Sequence, residues 1–173
     1  MLSIKDIILE KYKTNNTSNT NENTNGVFVG VKWDDESTKK IHEYFKDKIP
    51  DPLAHGKMHT TLVYSKTNFD YKDEDILHEA SLDKLHVFKN EKLGHTALAI
   101  KLKSPSLINR YKSIHEDKKA SYDFNEYIPH MTLSYDVSSL SEIELDELMK
   151  DTSYQDLKLT SGKEYSEVID ENF

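Results

Sequence analysis

A six-residue pattern that combines histidine with threonine occurs twice in the sequence. Residues His59–Tyr64 and His130–Tyr135 both read H-x-T-L-x-Y. One copy of H-x-T would carry little information, because the two residue types fall two positions apart easily by chance. Two copies that also share the leucine and the tyrosine indicate a repeated structural unit. The candidate catalytic residues are His59, Thr61, His130 and Thr132.

Each copy of the pattern is predicted to lie in a β-strand. Side chains alternate between the two faces of a strand, so the histidine and the threonine two positions later point the same way. The leucine and the tyrosine point to the opposite face and are predicted to be core residues: Leu62, Tyr64, Leu133 and Tyr135. Two such strands placed side by side would bring two imidazoles and two hydroxyls into one cleft.

This combination of groups suits phosphodiester chemistry. Histidine has a reference pKa of about 6.5, so it can act as an acid or as a base near neutral pH. One imidazole can remove a proton from an attacking hydroxyl while the other gives a proton to the leaving oxygen. The threonine hydroxyls can donate to the non-bridging phosphate oxygens, where charge accumulates in the transition state. The scheme needs no metal, and the sequence does not assign the acid and the base.

The sequence contains no pattern that indicates a metal or cofactor site. His55 and His59 have the spacing of two zinc ligands on a helix, but Pro50, Pro52 and Gly56 disfavour a helix there. There is no cysteine, and five glycines leave no glycine-rich phosphate loop. We therefore predict no metal and no cofactor. The other histidines match no catalytic spacing and are predicted to be surface or hairpin residues: His42, His78, His86, His95 and His115.

The composition predicts one soluble domain. The chain has 173 residues, of which 36% are hydrophobic, and its mean hydropathy of -0.74 fits no bilayer-spanning segment. The net charge is -8, with the acidic excess in residues 131–173. Long nucleic acids are bound mainly through lysine and arginine, so we expect a small anionic ligand instead. We also expect no membrane, no obligate protein partner and, without cysteines or a secretory signal, a cytoplasmic location.

Patterning divides the chain into a leader and a domain. Residues 1–25 are predicted to form a short helix and a flexible linker rich in asparagine and threonine, and residues 26–173 a single domain. Besides the strand at His130, strands are predicted at Val27–Trp33, Met58–Ser65, Leu82–Lys89, His95–Lys103, Leu157–Thr160 and Tyr165–Ile169. Helices are predicted to follow caps at Asp34-Asp35, Ser104 and Ser141.

The paired H-x-T motifs resemble those of the two-histidine phosphoesterase superfamily. Within it, the chain looks closest to the phage anti-CBASS phosphodiesterases, through the stretches Gly26–Ser37, Ile49–Ser65 and Tyr122–Asp136. The resemblance covers about residue 26 to the C-terminus. It implies an α+β fold that is bilobal, with two pseudo-symmetric sheet-plus-helix lobes around a central cleft.

The resemblance also implies a function and further site residues. It implies a metal-independent phosphodiesterase that cleaves 3′-5′ linkages of cyclic di- and trinucleotides, so that a phage evades CBASS defence in the host bacterial cytoplasm. Aromatic residues that clamp a base match Phe28 and Phe88, and an acid near the ligand matches Glu164. Phenylalanine stands where relatives tend to carry tyrosine or tryptophan, which keeps stacking and removes a possible hydrogen bond.

Alternatives remain open at the level of sequence. An RNA 2′,3′-cyclic or 2′-5′ phosphodiesterase of the same superfamily would carry the same motifs. A protein that sequesters cyclic nucleotides without cleaving them would need no intact H-x-T pair. Phe28 and Phe88 also fit apolar strands, where they would be core residues.

Overall fold

The computed structural model describes residues 25–118, 120 and 126–169. The predicted leading helix and linker, residues 1–25, lie outside this description except for Asn25. The strands are β1 Gly26–Lys32, β2 His59–Ser65, β3 Leu77–Asn90, β4 His95–Lys103, β5 His130–Ser134 and β6 Lys158–Ile169. The helices are α1 Asp35–Phe45, α2 Pro105–Lys118 and α3 Glu142–Lys150, with short 3-10 turns at His55–Lys57 and Ser153–Asp156. None of the described helices has both the length and the apolar character to cross a membrane.

The six strands form one antiparallel sheet in the order β2-β1-β6-β3-β4-β5. The sheet consists of two halves of three strands, β2-β1-β6 and β3-β4-β5, which join where β6 pairs with β3. Each half ends in one H-x-T strand, so β2 and β5 are the two edge strands. The α+β fold with two related lobes is thereby confirmed, and the lobes share a continuous sheet.

The two edge strands lie close to each other, and the segment that leads into β2 pairs with β5. The backbone N–H of Leu53 donates to the carbonyl of Leu133 at 2.8 Å, and Pro52 forms an isolated bridge with Ser134. A six-stranded sheet whose edges come into contact must curve towards closure. This curvature brings the two H-x-T motifs, which are far apart in sequence, to neighbouring positions.

The two faces of the sheet differ in what covers them. On β1, Val27, Val29 and Val31 belong to the core together with Ile41 and Phe45 of α1. In the other half, the core contains alternate residues of β4 and β5 and the apolar side of α2: Leu98, Ile100, Met131, Leu133, Leu107 and Ile114. The helices therefore cover one face. We call the opposite face, which carries His59 and His130, the cleft face.

The helix starts follow the caps predicted from the sequence. The Asp34 carboxylate accepts the backbone N–H of Ser37 at 2.9 Å, and Ser141 forms a capping box with Glu144 at the start of α3. The Ser104 hydroxyl accepts the backbone N–H of Leu107 at 3.3 Å at the start of α2. Each cap satisfies N–H groups that the first helical turn leaves without a partner.

Two local predictions need correction. The two closing strands predicted at Leu157–Thr160 and Tyr165–Ile169 are one strand, β6. Ser161 adopts a positive φ of 51° there, and the pairing with β3 shifts register nearby, so the Ser-Gly pair forms an irregularity within the strand where we expected a turn. Of the four predicted core residues in the repeats, Tyr64 is only half-buried, whereas the others are buried.

Candidate active site

The two H-x-T histidines occupy equivalent positions in the two halves of the sheet. His59 is the first residue of β2 and His130 is the first residue of β5. The Nδ1 atom of His59 lies 3.0 Å from the carbonyl oxygen of Lys57, and that of His130 lies 2.8 Å from the carbonyl oxygen of Ile128. A carbonyl oxygen only accepts, so each neutral ring carries its proton on Nδ1. Both rings therefore keep an Nε2 atom that can take a proton from a substrate.

The protein surroundings favour the neutral form of His130. Burial lowers the pKa of its imidazole below the ordinary value, and the Nδ1 hydrogen bond to Ile128 opposes this only in part. The neighbouring His86 and His59 lower the pKa further. His59 and His130 are thus close enough to interact electrostatically, and His130 has the protonation state that a general base requires.

The threonines of the two motifs lie on the cleft face beside the smallest residues of the neighbouring strands. Thr61 is paired with Gly30 on β1, and Thr132 is paired with Ala99 on β4. The ring of Tyr165 crosses Gly30 so closely that a Cβ at this position would come within 2.7 Å of it. Glycine at position 30 is therefore needed for Tyr165 to lie on the cleft face.

A cavity of about 430 Å³ opens beside His59 in the β2-β1-β6 half of the cleft. Its lining includes Phe28, Lys32, Tyr165 and Glu167. Phe28 is only 2% exposed, and its ring centroid lies 6.1 Å from that of His59 and 5.9 Å from that of Tyr165. Phe28 therefore packs beneath His59 and forms part of the cavity wall.

Phe88 lies next to His130, as Phe28 lies next to His59. Its ring centroid lies 5.1 Å from that of His130 and 4.4 Å from that of His86. Unlike Phe28, it is 38% exposed, so part of its ring is open to a ligand. The structure thus brings each predicted aromatic residue next to one H-x-T histidine, and it leaves Phe88 the more accessible of the two.

Glu164 lies in a buried network of charged and polar side chains. Its carboxylate accepts from Nε of Arg110 at 2.7 Å and from Nε2 of His78 at 2.9 Å, and also from the hydroxyl of Tyr71. Burial alone would raise the pKa of Glu164, but these hydrogen bonds outweigh it and lower the pKa to about 2. The carboxylate is therefore ionised and bound to partners within the protein.

The network lies on the helix-covered face of the sheet. Glu164 is directly opposite Val31 of β1, and Val31 belongs to the core. Paired residues of antiparallel strands share a face, so the structure does not bring Glu164 together with the two histidines. The acid of β6 on the cleft face is Glu167, which is paired with Phe28.

The prediction of surface or hairpin positions is wrong for His78, and it missed that His86 lies in the cleft. His78 is fully buried, and its Nδ1 lies 2.9 Å from the Ser106 hydroxyl while its Nε2 contacts Glu164. His86 is half-buried on the cleft face beside Phe88. The alternation along β3 contained a signal for His86, because Phe88 lies two residues later. No comparable signal marked Glu167, Tyr165 or Lys32, which reach the cleft only through the order of the strands.

The chain is similar to known proteins over most of its length. The family model described as "Anti-CBASS protein Acb1" matches residues 25–173. Proteins of that name from Vibrio phage KVP40 and Enterobacteria phage T4 are 31% identical over 115 and 118 residues. These matches cover 64% and 67% of this chain and 73% and 76% of the relatives.

A third relative and one solved structure complete the comparison. The Acb1 protein of Salmonella phage S16 is 32% identical over 116 residues, which are 66% of this chain and 74% of the relative. A structure described as "Crystal structure of phosphoesterase" has a TM-score of 0.48 and 14% identity, and covers 84% of this chain and 88% of its own. The family match spans both H-x-T motifs and every strand and helix among the described residues, and it confirms the resemblance found in the sequence. The chain therefore belongs to the Acb1 family of anti-CBASS proteins.

Proposed function

We propose that this chain is a metal-independent phosphodiesterase that opens cyclic di- and trinucleotides at 3′-5′ linkages. By removing these immune signals in the cytoplasm of the host bacterium, it would let a phage evade CBASS defence. The observation that carries the proposal is the pair of histidines with the same tautomer, each the first residue of one edge strand. Membership of the anti-CBASS family supports the choice of substrate.

The proposed reaction is an internal transesterification. One imidazole takes the proton of a ribose 2′-hydroxyl, and the 2′-oxygen attacks the adjacent phosphorus. The bond from phosphorus to the 5′-oxygen breaks, and the second imidazole gives its proton to that oxygen. The products are a 2′,3′-cyclic phosphate and a free 5′-hydroxyl, and water can then hydrolyse the cyclic phosphate.

We assign the base to His130 and the acid to His59. The pKa of His130 is lowered by burial, so this ring is neutral at pH 7 and can accept a proton through Nε2. Thr61 and Thr132 complete the site, because a hydroxyl on each side of the phosphate can donate to one non-bridging oxygen. Lys32, on the cavity wall next to His59, adds a positive charge near the leaving group.

The aromatic residues have different roles in this proposal. The exposed part of Phe88 provides a surface on which a base can stack. Phe28 supports His59 from beneath and closes the apolar wall of the cavity. Glu164 stabilises β6 through its buried hydrogen bonds on the helix-covered face. Glu167 is the carboxylate that lines the cavity and contacts the substrate.

The proposal is tested with a panel of cyclic di- and trinucleotides in EDTA, with products resolved by mass. The panel includes a linear 2′-5′ dinucleotide and an RNA that ends in a 2′,3′-cyclic phosphate. We expect cleavage of the cyclic substrates and a product with the mass of a linear 2′,3′-cyclic phosphate. Faster cleavage of either RNA-type substrate would support the other phosphodiesterase function, and tight binding without any product would indicate sequestration.

A further inference from the structure

Two basic side chains that the mechanism does not use lie beside the second catalytic motif. His86 of β3 is paired with Ala99 of β4, which in turn is paired with Thr132 of β5. Lys101, two residues after Ala99, is paired with His130. Because paired residues share a face, His86 and Lys101 lie on the cleft face next to the H-x-T motif of β5.

The side chains of this group interact across the three strands. The ring of Phe88 bridges His86 and His130, with centroid separations of 4.4 and 5.1 Å. Burial lowers the pKa of His86, and the charge of Lys101 lowers it further. The Lys101 ammonium is therefore near the imidazole, and the small side chain of Ala99 leaves room between His86 and Thr132.

Lys101 differs from the neighbouring lysine on its strand. Lys103 has a carboxylate partner, since its Nζ lies 3.5 Å from Asp83. Lys101 is half-buried, and within residues 25–118, 120 and 126–169 it forms no ion pair. In a chain of net charge -8, a half-buried cation that makes no ion pair and faces a cleft suits a ligand that brings its own negative charge.

We propose that Lys101 and His86 bind a second phosphate of the substrate, next to the phosphate that is cleaved. This inference rests on the proposed function and deepens it. A cyclic di- or trinucleotide carries one phosphate per nucleotide, so a ring bound with one phosphate between His59 and His130 must place another nearby. The ammonium of Lys101 supplies charge, and the neutral imidazole of His86 supplies an N–H donor.

The subsite gives the cleft a preference for cyclic oligonucleotides. A nucleoside 2′,3′-cyclic phosphate has a single phosphate and leaves Lys101 without a charged partner. A cyclic oligonucleotide satisfies the histidine pair and Lys101 together. The β3-β4-β5 half of the cleft thereby distinguishes substrates with two or more phosphates from substrates with one. Neither H-x-T motif can make this distinction alone.

The test compares two substrates and two lysine variants. One substrate is a cyclic diribonucleotide with two phosphodiesters, and the other has its second linkage replaced by an uncharged methylphosphonate. Lys101→Met keeps the apolar stem and removes the charge, and Lys103→Met removes the same charge from the same strand as a matched control. On the doubly charged substrate we expect Lys101→Met to raise KM about tenfold or more, with kcat within about threefold of wild type.

On the methylphosphonate substrate, Lys101→Met and wild type should have the same KM, because the partner of Lys101 is absent. Lys103→Met should match wild type on both substrates. Equal losses on both substrates would overturn the proposal, since Lys101 would then act on the cleaved phosphate or on the fold. An unchanged KM on the doubly charged substrate would also overturn it. Failure of the proposed function itself would be visible separately, as wild type that cleaves neither compound.

His86→Gln provides a second, independent variant. Glutamine keeps an N–H donor but cannot reproduce the ring contact with Phe88. On the doubly charged substrate, we expect His86→Gln to raise KM less than Lys101→Met does. In the variant that carries both substitutions, KM should be the same for the doubly charged substrate and for the methylphosphonate substrate. If the combined variant still distinguished the two substrates as wild type does, the second phosphate would be bound elsewhere.

Discussion

The hydroxyl of Tyr127 donates a 2.9 Å hydrogen bond to the backbone carbonyl of Thr61. Tyr127 precedes His130 by three residues, so this bond connects the segment that leads into β5 directly to β2. The ring of Tyr127 is stacked on Tyr111 of α2, with centroids 4.1 Å apart and planes within 1°. The stack on α2 and the bond to Thr61 therefore hold the two H-x-T strands in position relative to each other, in addition to the pairing within the sheet.

Tyr127→Phe should keep the stacked ring and lose the bond to Thr61. We expect a loss of about 1 kcal/mol in the free energy of unfolding. We also expect kcat to fall roughly three- to tenfold with little change in KM, because the two histidines are less well held in register. Denaturant unfolding and steady-state kinetics measure the two effects. Tyr44→Phe, which loses a bond to Asp151 far from the cleft, is the control and should leave kcat unchanged.

The two phenylalanines should respond differently to truncation. Phe28 is buried, so Phe28→Ala should cost about 3 to 5 kcal/mol of stability. Phe88 is partly exposed, so Phe88→Ala should mainly weaken nucleotide binding by about 1 to 3 kcal/mol, a factor of roughly 5 to 150 in Kd. Thermal unfolding and calorimetric titration with a 2′-deoxy cyclic dinucleotide distinguish these effects. A large loss of melting temperature in Phe88→Ala would assign that ring to the core.

Glu164 should matter for stability through its buried partners. Glu164→Gln removes the buried carboxylate that accepts from Arg110, whose other ion-pair partner is the exposed Glu74. Breaking a buried ion pair in this way costs about 3 to 5 kcal/mol. The exposed Glu167 is the matched control, and Glu167→Gln should change stability by about 0.5 kcal/mol at most. Equal stability of wild type and Glu164→Gln would show that the network contributes nothing to the fold.

The same carboxylate should give a pH dependence of stability. The pKa of Glu164 is lowered from 4.5 in the ordinary carboxyl to about 2 in the folded protein. The contribution of the ionised Glu164 to the free energy of unfolding is therefore complete above pH 4.5 and is lost as the pH falls towards 2. Glu164→Gln should show a smaller loss of stability over this range than wild type, as measured by urea unfolding at a series of pH values.

The protonation of His130 can be measured directly. Its lowered pKa means that the ring stays neutral to a pH below 6.5, the ordinary value for histidine. If His130 is the base, kcat/KM should fall only when the pH drops through this lowered pKa. NMR titration of the ring signals, assigned with His130→Gln, should show the same midpoint as the acidic limb of the rate profile. A midpoint at or above 6.5 would contradict the assignment of His130 as base.

Local features of the fold could be predicted from the sequence, and long-range pairings could not. The alternation in each H-x-T-L-x-Y repeat placed His59 and His130 on strands, and Asp34 and Ser141 marked helix starts. These signals lie within a few residues of one another, where strand and helix geometry decide the outcome. The last strand, β6, was predicted as two strands because Ser161 and the glycine after it are typical of a turn. In the structure they accommodate a shift in the register between β6 and β3.

The composition of the cleft depends on which strands are neighbours. Glu164 and Glu167 are both acids of β6, and only the register with β1 places Glu167 opposite Phe28 and Glu164 opposite Val31. Lys101 reaches the site because β4 lies between β3 and β5. The order of strands is set by packing of the whole chain, so no local pattern could reveal these residues.

The most direct test of the account is the rate at which wild type, His59→Ala and His130→Ala cleave a cyclic dinucleotide in EDTA. Each variant should lose roughly two to four orders of magnitude in turnover, the contribution of a positioned acid or base, while its melting temperature and its Kd for the 2′-deoxy analogue stay close to wild type. Wild type should remain active in the chelator. A histidine variant that kept more than a tenth of wild-type turnover, or wild-type activity abolished by EDTA and restored by a divalent ion, would contradict the two-histidine mechanism.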